Sequence, residues 1–301
     1  MRLSDALLHS LAVLDTKKQA IVAQMVRDLS QISRIEAVVL GGSYARGTAR
    51  QDSDVDLGLY YSENAPPSIE SIQNLARKYA SSPDCVVTQF YEWGPWVNWG
   101  AWLHTNAGKI DLLYRNIEQM NRVLEDAEKG VFSWDFRQQP PFGFFSVTYL
   151  ADLQDNIILH DPKGLGAKLK ASVAKYPEPL RRSIIQEHLW SVEFSLMNAK
   201  KYAGRGCVYA TVGCMTRMAA ELTQVLFALN RIYFVTEKGA LETIDTFSIK
   251  PTDYARRMNA LLSHPGTGDH LIDSLKKFEG IVQETIALAN PIYQPKYKGL
   301  I

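Results

Sequence analysis

The stretch of sequence that predicts how the chain folds is Leu40-Gly-Gly-Ser-Tyr-Ala-Arg-Gly-Thr-Ala-Arg-Gln-Asp-Ser-Asp-Val-Asp-Leu57. A β-branched run that begins at Ile35 leads into it and is typical of a buried strand. After a glycine corner and a polar loop, a second apolar run begins at Val55. Because side chains alternate along a strand, Asp54 and Asp56 are expected to face the same way. The stretch therefore predicts two carboxylates beside a turn that offers backbone N–H groups.

This combination suits a divalent cation and a phosphate. The glycine pair that ends at Gly42 permits a sharp turn and close approach of the backbone to a ligand. If Ser43 opens a helix, the N–H groups and dipole of that helix favour an anion there. Asp54 and Asp56 offer the oxygen ligands that Mg²⁺ takes together with water and substrate phosphate. Arg46 in the same loop is a candidate for binding the phosphates, and a solvated loop charge is the alternative.

A third carboxylate, Asp111, interrupts a predicted strand between Ile110 and Leu112. A buried unpaired carboxylate costs several kcal/mol, so a partner is expected. A metal ion is the simplest partner, and a structural salt bridge is the alternative. In a two-metal site, cations ~3.5–4 Å apart stabilise both the attacking and the leaving oxygen. That chemistry suits attack of a hydroxyl on the α-phosphate of a nucleoside triphosphate, with pyrophosphate leaving.

Composition limits the classes of function. At 301 residues, the chain is long enough for two domains. Its 33 Lys and Arg nearly balance its 32 Asp and Glu, so no global field attracts nucleic acid or an anionic membrane. Three cysteines match no zinc motif and suggest a reducing compartment, and no run approaches the ~20 apolar residues of a membrane span. We expect a cytoplasmic protein without an extended nucleic-acid footprint, and a homodimer is compatible with these data.

The order of predicted elements favours an α+β protein. A helix, a strand, the motif loop, a strand, a helix and a cluster of strands come first, which is the pattern of a mixed sheet. Pro140-Pro-Phe-Gly143 is the predicted border between a first domain, residues 1–141, and a second domain, residues 142–301. Beyond the border the periodicity is helical, so we expect an all-α second domain with long helices near Leu180 and Val208. The loop at His160 is predicted to end a helix.

Two further features have alternative interpretations. Trp93, Trp96, Trp99 and Trp102 are four of the six tryptophans in the chain. They suit a half-wet cleft wall that stacks on a base or an acceptor ring, and packing in a sheet–helix core is the alternative. Glu221 lies beside an apolar helical stripe and is a candidate for the base that deprotonates an acceptor, although no motif selects it and a structural role is the alternative.

The central motif resembles that of a known superfamily. Gly42-Ser43, ten intervening residues and then Asp54-Val-Asp-Leu57 are similar to the signature of the DNA polymerase beta-like nucleotidyltransferases. The wider pattern looks most like the small-molecule and minimal branch, which includes the kanamycin and lincosamide nucleotidyltransferases. The resemblance implies a mixed-sheet catalytic domain followed by a helical domain. It also implies that Asp54, Asp56 and Asp111 bind Mg²⁺ and that Gly42 and Ser43 hold the triphosphate.

Together these features predict an enzyme. It would move a nucleoside monophosphate from a nucleoside triphosphate, preferably ATP, to a hydroxyl in a Mg²⁺-dependent reaction. The expected acceptor is a small, antibiotic-like molecule that the helical domain recognises. Transfer to protein or tRNA, as in toxin-like relatives, and a non-catalytic nucleotide-binding or sensor module are the alternatives. Asp111 or a helical-domain glutamate such as Glu221 is the candidate general base.

Overall fold

The structure is a computed structural model that describes residues 5–82 and 85–296. The chain divides into two compact units. Unit 1 comprises Met1–Glu125 and Ser133–Lys175, and unit 2 comprises Asp126–Phe132 and Tyr176–Ile301. In the described ranges, no helix is both long and apolar enough to cross a bilayer.

The chain up to residue 175 builds a mixed sheet with helices. Its strands are β1 (Ala37–Leu40), β2 (Val55–Tyr61), β3 (Val86–Val87), β4 (Gly100–Thr105), β5 (Gly108–Asn116), β6 (Trp134–Asp135), β7 (Phe144–Phe145) and β8 (Ile157–His160). Its helices are α1 (Asp5–Ser10), α2 (Thr16–Leu29), α3 (Gly42–Ala45), α4 (Ile69–Tyr79), α5 (Ile117–Glu128), α6 (Val147–Asp155) and α7 (Leu165–Ser172). One 6-stranded sheet has the order β3-β4-β5-β2-β1-β8, and β6 and β7 form a separate pair. The β2–β5 pair is parallel and its neighbours are antiparallel, so the predicted mixed sheet is confirmed.

The two faces of this sheet differ because of side-chain alternation. Leu57 of β2 and Leu112 of β5 point into a buried cluster that also contains Met25 of α2 and Ile72 of α4. The intervening residues of β2 and β5 must then point to the opposite face. Burial of the apolar set against α2 and α4 therefore fixes the register that carries the polar residues to one surface of the sheet.

Strand β8 is a departure from the sequence prediction. It pairs antiparallel with β1, so that Leu40 lies opposite Ile157 and Val38 lies opposite His160. The residues before the loop at His160 therefore form a strand and do not end a helix. A strand of four residues is too short for its periodicity to distinguish it from a helix. Because β8 adds to the sheet, unit 1 extends to residue 175, beyond the border predicted after residue 141.

Unit 2 is helical throughout the part of it that the structure describes. Its helices are α8 (Glu178–Ala203), α9 (Val208–Leu229), α10 (Ala240–Asp245), α11 (Tyr254–Ser263) and α12 (Asp269–Leu288). The long helices α8 and α9 pack against each other and begin within two residues of the predicted starts. Their buried residues include Val192 and Leu196 on α8 and Met218 and Leu222 on α9, which recur at helical spacing.

Candidate functional site

A row of side chains crosses three strands on the sheet face away from α2 and α4. Asp56 of β2 lies opposite Asp111 of β5, and Trp102 of β4 lies opposite Asp111 on its other side. Side chains at opposite positions share a face, and neighbouring strands are about 4.8 Å apart. The row therefore reads Asp56–Asp111–Trp102, with Asp54 just before the start of β2.

The glycine corner lies against the Asp56 end of this row. The backbone N–H of Gly41 donates to the carbonyl oxygen of Asp56 at 2.8 Å. Gly42 has a φ of 62°, and a Cβ atom placed on it would lie 1.7 Å from Oδ2 of Asp56. Glycine is required here for both its backbone conformation and its missing side chain. Helix α3 then makes a single turn that begins at Gly42, one residue before the predicted start at Ser43.

Helix α2 anchors the loop that follows the corner. Lys18 is only 7% exposed, and its Nζ donates to the hydroxyl of Tyr44 at 2.7 Å and to the carbonyl oxygen of Gln51 at 3.2 Å. Its charge is balanced by Asp15 at 3.3 Å. The hydrogen bond to Tyr44 raises the pKa of Lys18, and burial opposes that rise. The loop is therefore held at both its start and its middle.

The two central carboxyl groups resist ionisation. Burial raises the pKa of Asp56 to about 6. The charge of Arg115 opposes that rise, whereas the carboxylates of Asp152 and Asp54 add to it. Burial also raises the pKa of Asp111 to about 7, and the negative charges of Asp56 and Asp54 contribute. A cation among these groups would relieve both the repulsion and the loss of solvation.

The donor set fits a hard divalent cation. All of its ligands are carboxylate oxygens, and the missing side chain of Gly42 leaves room for Oδ2 of Asp56. Within the described ranges, no three His, Cys, Asp or Glu side chains are close enough to make a complete metal site. Mg²⁺ usually takes one or two carboxylates and fills its other positions with water and substrate phosphate oxygens. Asp56 and Asp111, with Asp54 beside them, match that partial set.

Helix α6 supplies neighbours that the sequence analysis missed. Asp152 accepts a hydrogen bond from Nε of Arg115 at 2.7 Å, and the two side chains are 20% and 14% exposed. Oδ1 of Asp152 also comes within 3.4 Å of the Cβ position at Gly41. The sole signal in the sequence was a pair of acids, Asp152 and Asp155, at i,i+3 spacing on a largely apolar helix. That spacing matches no motif.

Arg46 is half-buried, and its charge acts on two of these acids. Burial raises the pKa of Asp155, and the positive charge of Arg46 opposes that rise. The same charge acts on Asp56. Ser43 is half-buried in the first turn of α3. The contact of Arg46 or Ser43 with a phosphate stays a prediction.

Comparison with known proteins assigns part of unit 1 to a domain family. Residues 22–93 match the family model described as a nucleotidyltransferase domain, and this range contains the glycine corner, Asp54 and Asp56. The chain carries a nucleotidyltransferase domain of the DNA polymerase beta-like superfamily. It is thus a nucleotidyltransferase enzyme whose general activity is nucleotidyl transfer. Asp111 lies outside the matched range and joins the row through the β2–β5 register.

Other comparisons add less. Residues 144–238 match a domain of unknown function, DUF4037. No curated protein matches the chain. Among solved structures, the chain is similar to a nucleotidyltransferase-like protein from Exiguobacterium sibiricum 255-15 at 10% identity and a TM-score of 0.46, over 92% of this chain and 77% of that chain. A likeness this distant adds nothing to the assignment.

Glu221, the alternative base, has a structural environment in unit 2. It is fully buried, and its Oε1 accepts hydrogen bonds from Oγ of Ser191 at 2.7 Å and from Nε of Arg217 at 3.2 Å. Burial raises the pKa of Glu221, and these partners oppose the rise. A carboxyl group without exposed surface cannot take a proton directly from an acceptor. Of the two candidates for the base, Asp111 therefore fits better.

Proposed function

We propose that this nucleotidyltransferase transfers a nucleoside monophosphate from a nucleoside triphosphate to a hydroxyl of a small-molecule acceptor in a Mg²⁺-dependent reaction, and that pyrophosphate leaves. The observation that carries the proposal is the adjacency of Asp56, Asp111 and the glycine corner on one sheet face. Carboxylates beside a glycine turn and the first turn of a helix suit a metal-bound triphosphate. ATP is the first donor to test.

Each residue of the site has a proposed role. Gly42 and Ser43 bind the β- and γ-phosphates through backbone N–H groups, and Arg46 neutralises the leaving pyrophosphate. Asp56 and Asp111 hold the cation together with water and substrate phosphate oxygens, and Asp54 lies beside them. When bound, Mg²⁺ supplies positive charge that stabilises the attacking and leaving oxygens. The acceptor hydroxyl loses its proton to Asp111 or to water as its oxygen bonds to the α-phosphorus.

A small acceptor is favoured by the charge of the chain. A protein that tracks nucleic acid neutralises several phosphates with Lys and Arg, and its affinity depends on a basic surface. Here 33 basic residues face 32 acidic ones, which leaves a formal net charge of +1. An antibiotic-like hydroxyl compound is therefore our preferred acceptor over tRNA. Transfer to protein and nucleotide sensing without catalysis are outcomes that the experiment separates.

The test is pyrophosphate release from each of the four ribonucleoside triphosphates with a panel of hydroxyl acceptors, with and without Mg²⁺. Asp56→Asn and Asp111→Asn keep the side-chain size and remove the charge. The matched control is Asp52→Asn, an exposed loop position in the same stretch. We expect the first two variants to lose at least ~100-fold in rate and the control to keep its rate.

Two results would contradict the proposal in different ways. If Asp56→Asn and Asp111→Asn release pyrophosphate as fast as wild type, the assignment of the site is wrong. If wild type binds a triphosphate in the presence of Mg²⁺ but releases no pyrophosphate with any small molecule, protein or tRNA, the chain is a sensor. Pyrophosphate release that requires a protein or tRNA acceptor would reject the small-molecule class alone.

A further inference from the structure

Three tryptophans of unit 1 form an aromatic surface, which we call the tryptophan shelf: Trp93, Trp99 and Trp102. Their ring centroids are 5.3 Å apart for Trp93 and Trp99, 4.8 Å for Trp93 and Trp102, and 4.4 Å for Trp99 and Trp102. Trp93 is 51% exposed, and the other two are half-buried. None of the three residues belongs to the buried cluster that contains Leu57 and Leu112. The shelf therefore lies outside the core that the sheet shares with α2 and α4.

The fourth tryptophan of the stretch behaves differently. The ring of Trp96 stacks on Phe144 at 5.7 Å and lies 6.3 Å from Tyr149. The hydroxyl of Tyr149 also donates to the carbonyl oxygen of Trp96. Trp96 therefore packs against α6 and the segment before it. This contrast separates one structural tryptophan from the three that form the shelf.

Side chains from elsewhere in unit 1 hold the shelf loop in place. Oε1 of Gln138 accepts from the backbone N–H groups of Trp96 at 3.1 Å and Val97 at 3.2 Å, and its Nε2 donates to the carbonyl oxygen of Trp93 at 3.3 Å. Nε2 of Gln119 donates to the carbonyl oxygen of Pro95 at 2.7 Å. A surface that is already ordered loses little conformational entropy when a ligand binds to it.

The position of the shelf indicates which substrate it contacts. The row on the sheet runs from the glycine corner through Asp56 and Asp111 to Trp102. In the proposed function, the corner holds the leaving pyrophosphate. In-line displacement places the attacking oxygen opposite the leaving group. The attacking hydroxyl then approaches from the Trp102 end, so the shelf lies on the acceptor side.

We infer that the acceptor carries a planar aromatic ring and that this ring stacks on the tryptophan shelf while its hydroxyl reaches the Asp111 end of the row. This inference rests on the proposed function. The hydroxyl oxygen bonds to the α-phosphorus, the bond from that phosphorus to the bridging oxygen of pyrophosphate breaks, and pyrophosphate leaves with the electron pair. The hydroxyl proton passes to Asp111 or to water. Flat indole faces favour stacked rings over saturated ones, which supplies the selectivity.

The first experiment measures binding and needs no turnover. The probes are 2-phenylethanol and 2-cyclohexylethanol, which carry the same hydroxyl on an aromatic or a saturated ring. Binding is followed by tryptophan fluorescence in wild type, Trp93→Leu and Trp93→Phe. The matched control is Trp190→Leu, because Trp190 of α8 is also exposed (45%) and stacked, at 5.6 Å from Phe194.

We expect wild type, Trp93→Phe and Trp190→Leu to bind the aromatic probe more tightly than the saturated one. An aromatic ring that stacks on the indole loses that contact when the indole is replaced, so Trp93→Leu should lose about tenfold in affinity for the aromatic probe alone. If the two probes bind wild type equally, or if Trp93→Leu keeps the preference for the aromatic probe, the shelf is not an aromatic-ring site.

The second experiment measures turnover and separates the two sources of a ring. With an active acceptor, Trp93→Leu should raise the KM for that acceptor about tenfold and leave the KM for the nucleoside triphosphate within about twofold. A rise in the KM for the triphosphate alone would show that the shelf binds the donor base, and would overturn the inference. If the aromatic probe binds as expected but no acceptor yields pyrophosphate, the proposed function fails while the ring site stands.

Discussion

Gly42→Ala is the substitution for which the structure gives the clearest expectation. Alanine at this position faces two separate problems. The backbone φ of 62° lies in the left-handed region, and the new Cβ would lie 1.7 Å from Oδ2 of Asp56. The first problem affects stability wherever it occurs, whereas the second moves a carboxylate of the candidate site. The two effects can therefore be measured apart.

The magnitudes follow from the geometry. A non-glycine residue in the left-handed conformation costs roughly 1–2 kcal/mol of folding free energy. Ordinary van der Waals contact begins at 3.4 Å, whereas the new Cβ would lie 1.7 Å from Oδ2 of Asp56. The Asp56 carboxylate must therefore move away by about 1.7 Å. Misplacement of a reacting or positioning group by about 1 Å costs on the order of 100-fold in rate. We expect Gly42→Ala to lose stability modestly and activity at least ~100-fold.

The control is Gly164→Ala, which shares the strain without the clash. Gly164 has a φ of 68°, is exposed, and a Cβ placed on it would have no heavy atom within 4 Å. The assay pairs urea unfolding, for the free energy, with pyrophosphate release per folded molecule. If both variants lose similar amounts of stability and only Gly42→Ala loses activity, the steric explanation is supported. Equal activity in the two folded variants would refute it, because Asp56 would then tolerate displacement.

Three further predictions concern residues outside the row. Glu221→Gln should release pyrophosphate at a rate within about twofold of wild type, because a fully buried group cannot contact an acceptor. A loss of rate beyond ~100-fold in the folded variant would restore Glu221 as a candidate base. Burial, with the charge of Arg217, lowers the pKa of His188 to about 3, so the unfolded chain takes up a proton below pH 6.5 that the folded chain does not. The free energy of unfolding should therefore decrease as the pH is lowered. Between pH 7 and pH 5, urea unfolding should show that wild type loses about 2 kcal/mol more of this free energy than His188→Gln does. Parallel pH profiles for the two proteins would contradict this. In Lys18→Met, the Tyr44 hydroxyl and the Gln51 carbonyl oxygen lose their buried donor. This variant should lower the free energy of unfolding by about 1–3 kcal/mol and raise the KM for the triphosphate. An unchanged KM would show that triphosphate binding does not depend on the contact between Lys18 and the loop.

The parts of the site that the sequence predicts are those with local signals. The glycine corner and Asp54 with Asp56 lie within a single stretch, and strand alternation is enough to orient the two acids. Asp111 was identified from a different signal, a charge in the middle of an apolar strand. Its adjacency to Asp56 required the parallel register of β2 and β5, which the sequence does not state.

The parts that escaped prediction depend on contacts between distant segments. Asp152 is separated from Arg115 by 37 positions in the chain, and neither belongs to a motif. Strand β8 is four residues long and becomes recognisable only through its pairing with β1. For Glu221, the apolar stripe of the helix predicts a buried face. It does not predict that Ser191 and Arg217 donate hydrogen bonds to the carboxylate there. The periodicity of the sequence predicts which face of a helix or strand is buried, but only the structure shows which residues contact that face.

The acids of the row repel one another. Asp56 and Asp111 are half-buried beside each other, and Asp54 adds to their repulsion. The strongest nearby cation, Arg115, is already engaged by Asp152 in an ion pair with a 2.7 Å contact. A sheet selected for stability alone would place apolar residues at these positions, because replacing buried charges with packed apolar groups is often neutral or stabilising. In the function proposed above, a cation that binds together with the substrate phosphates would balance this negative charge.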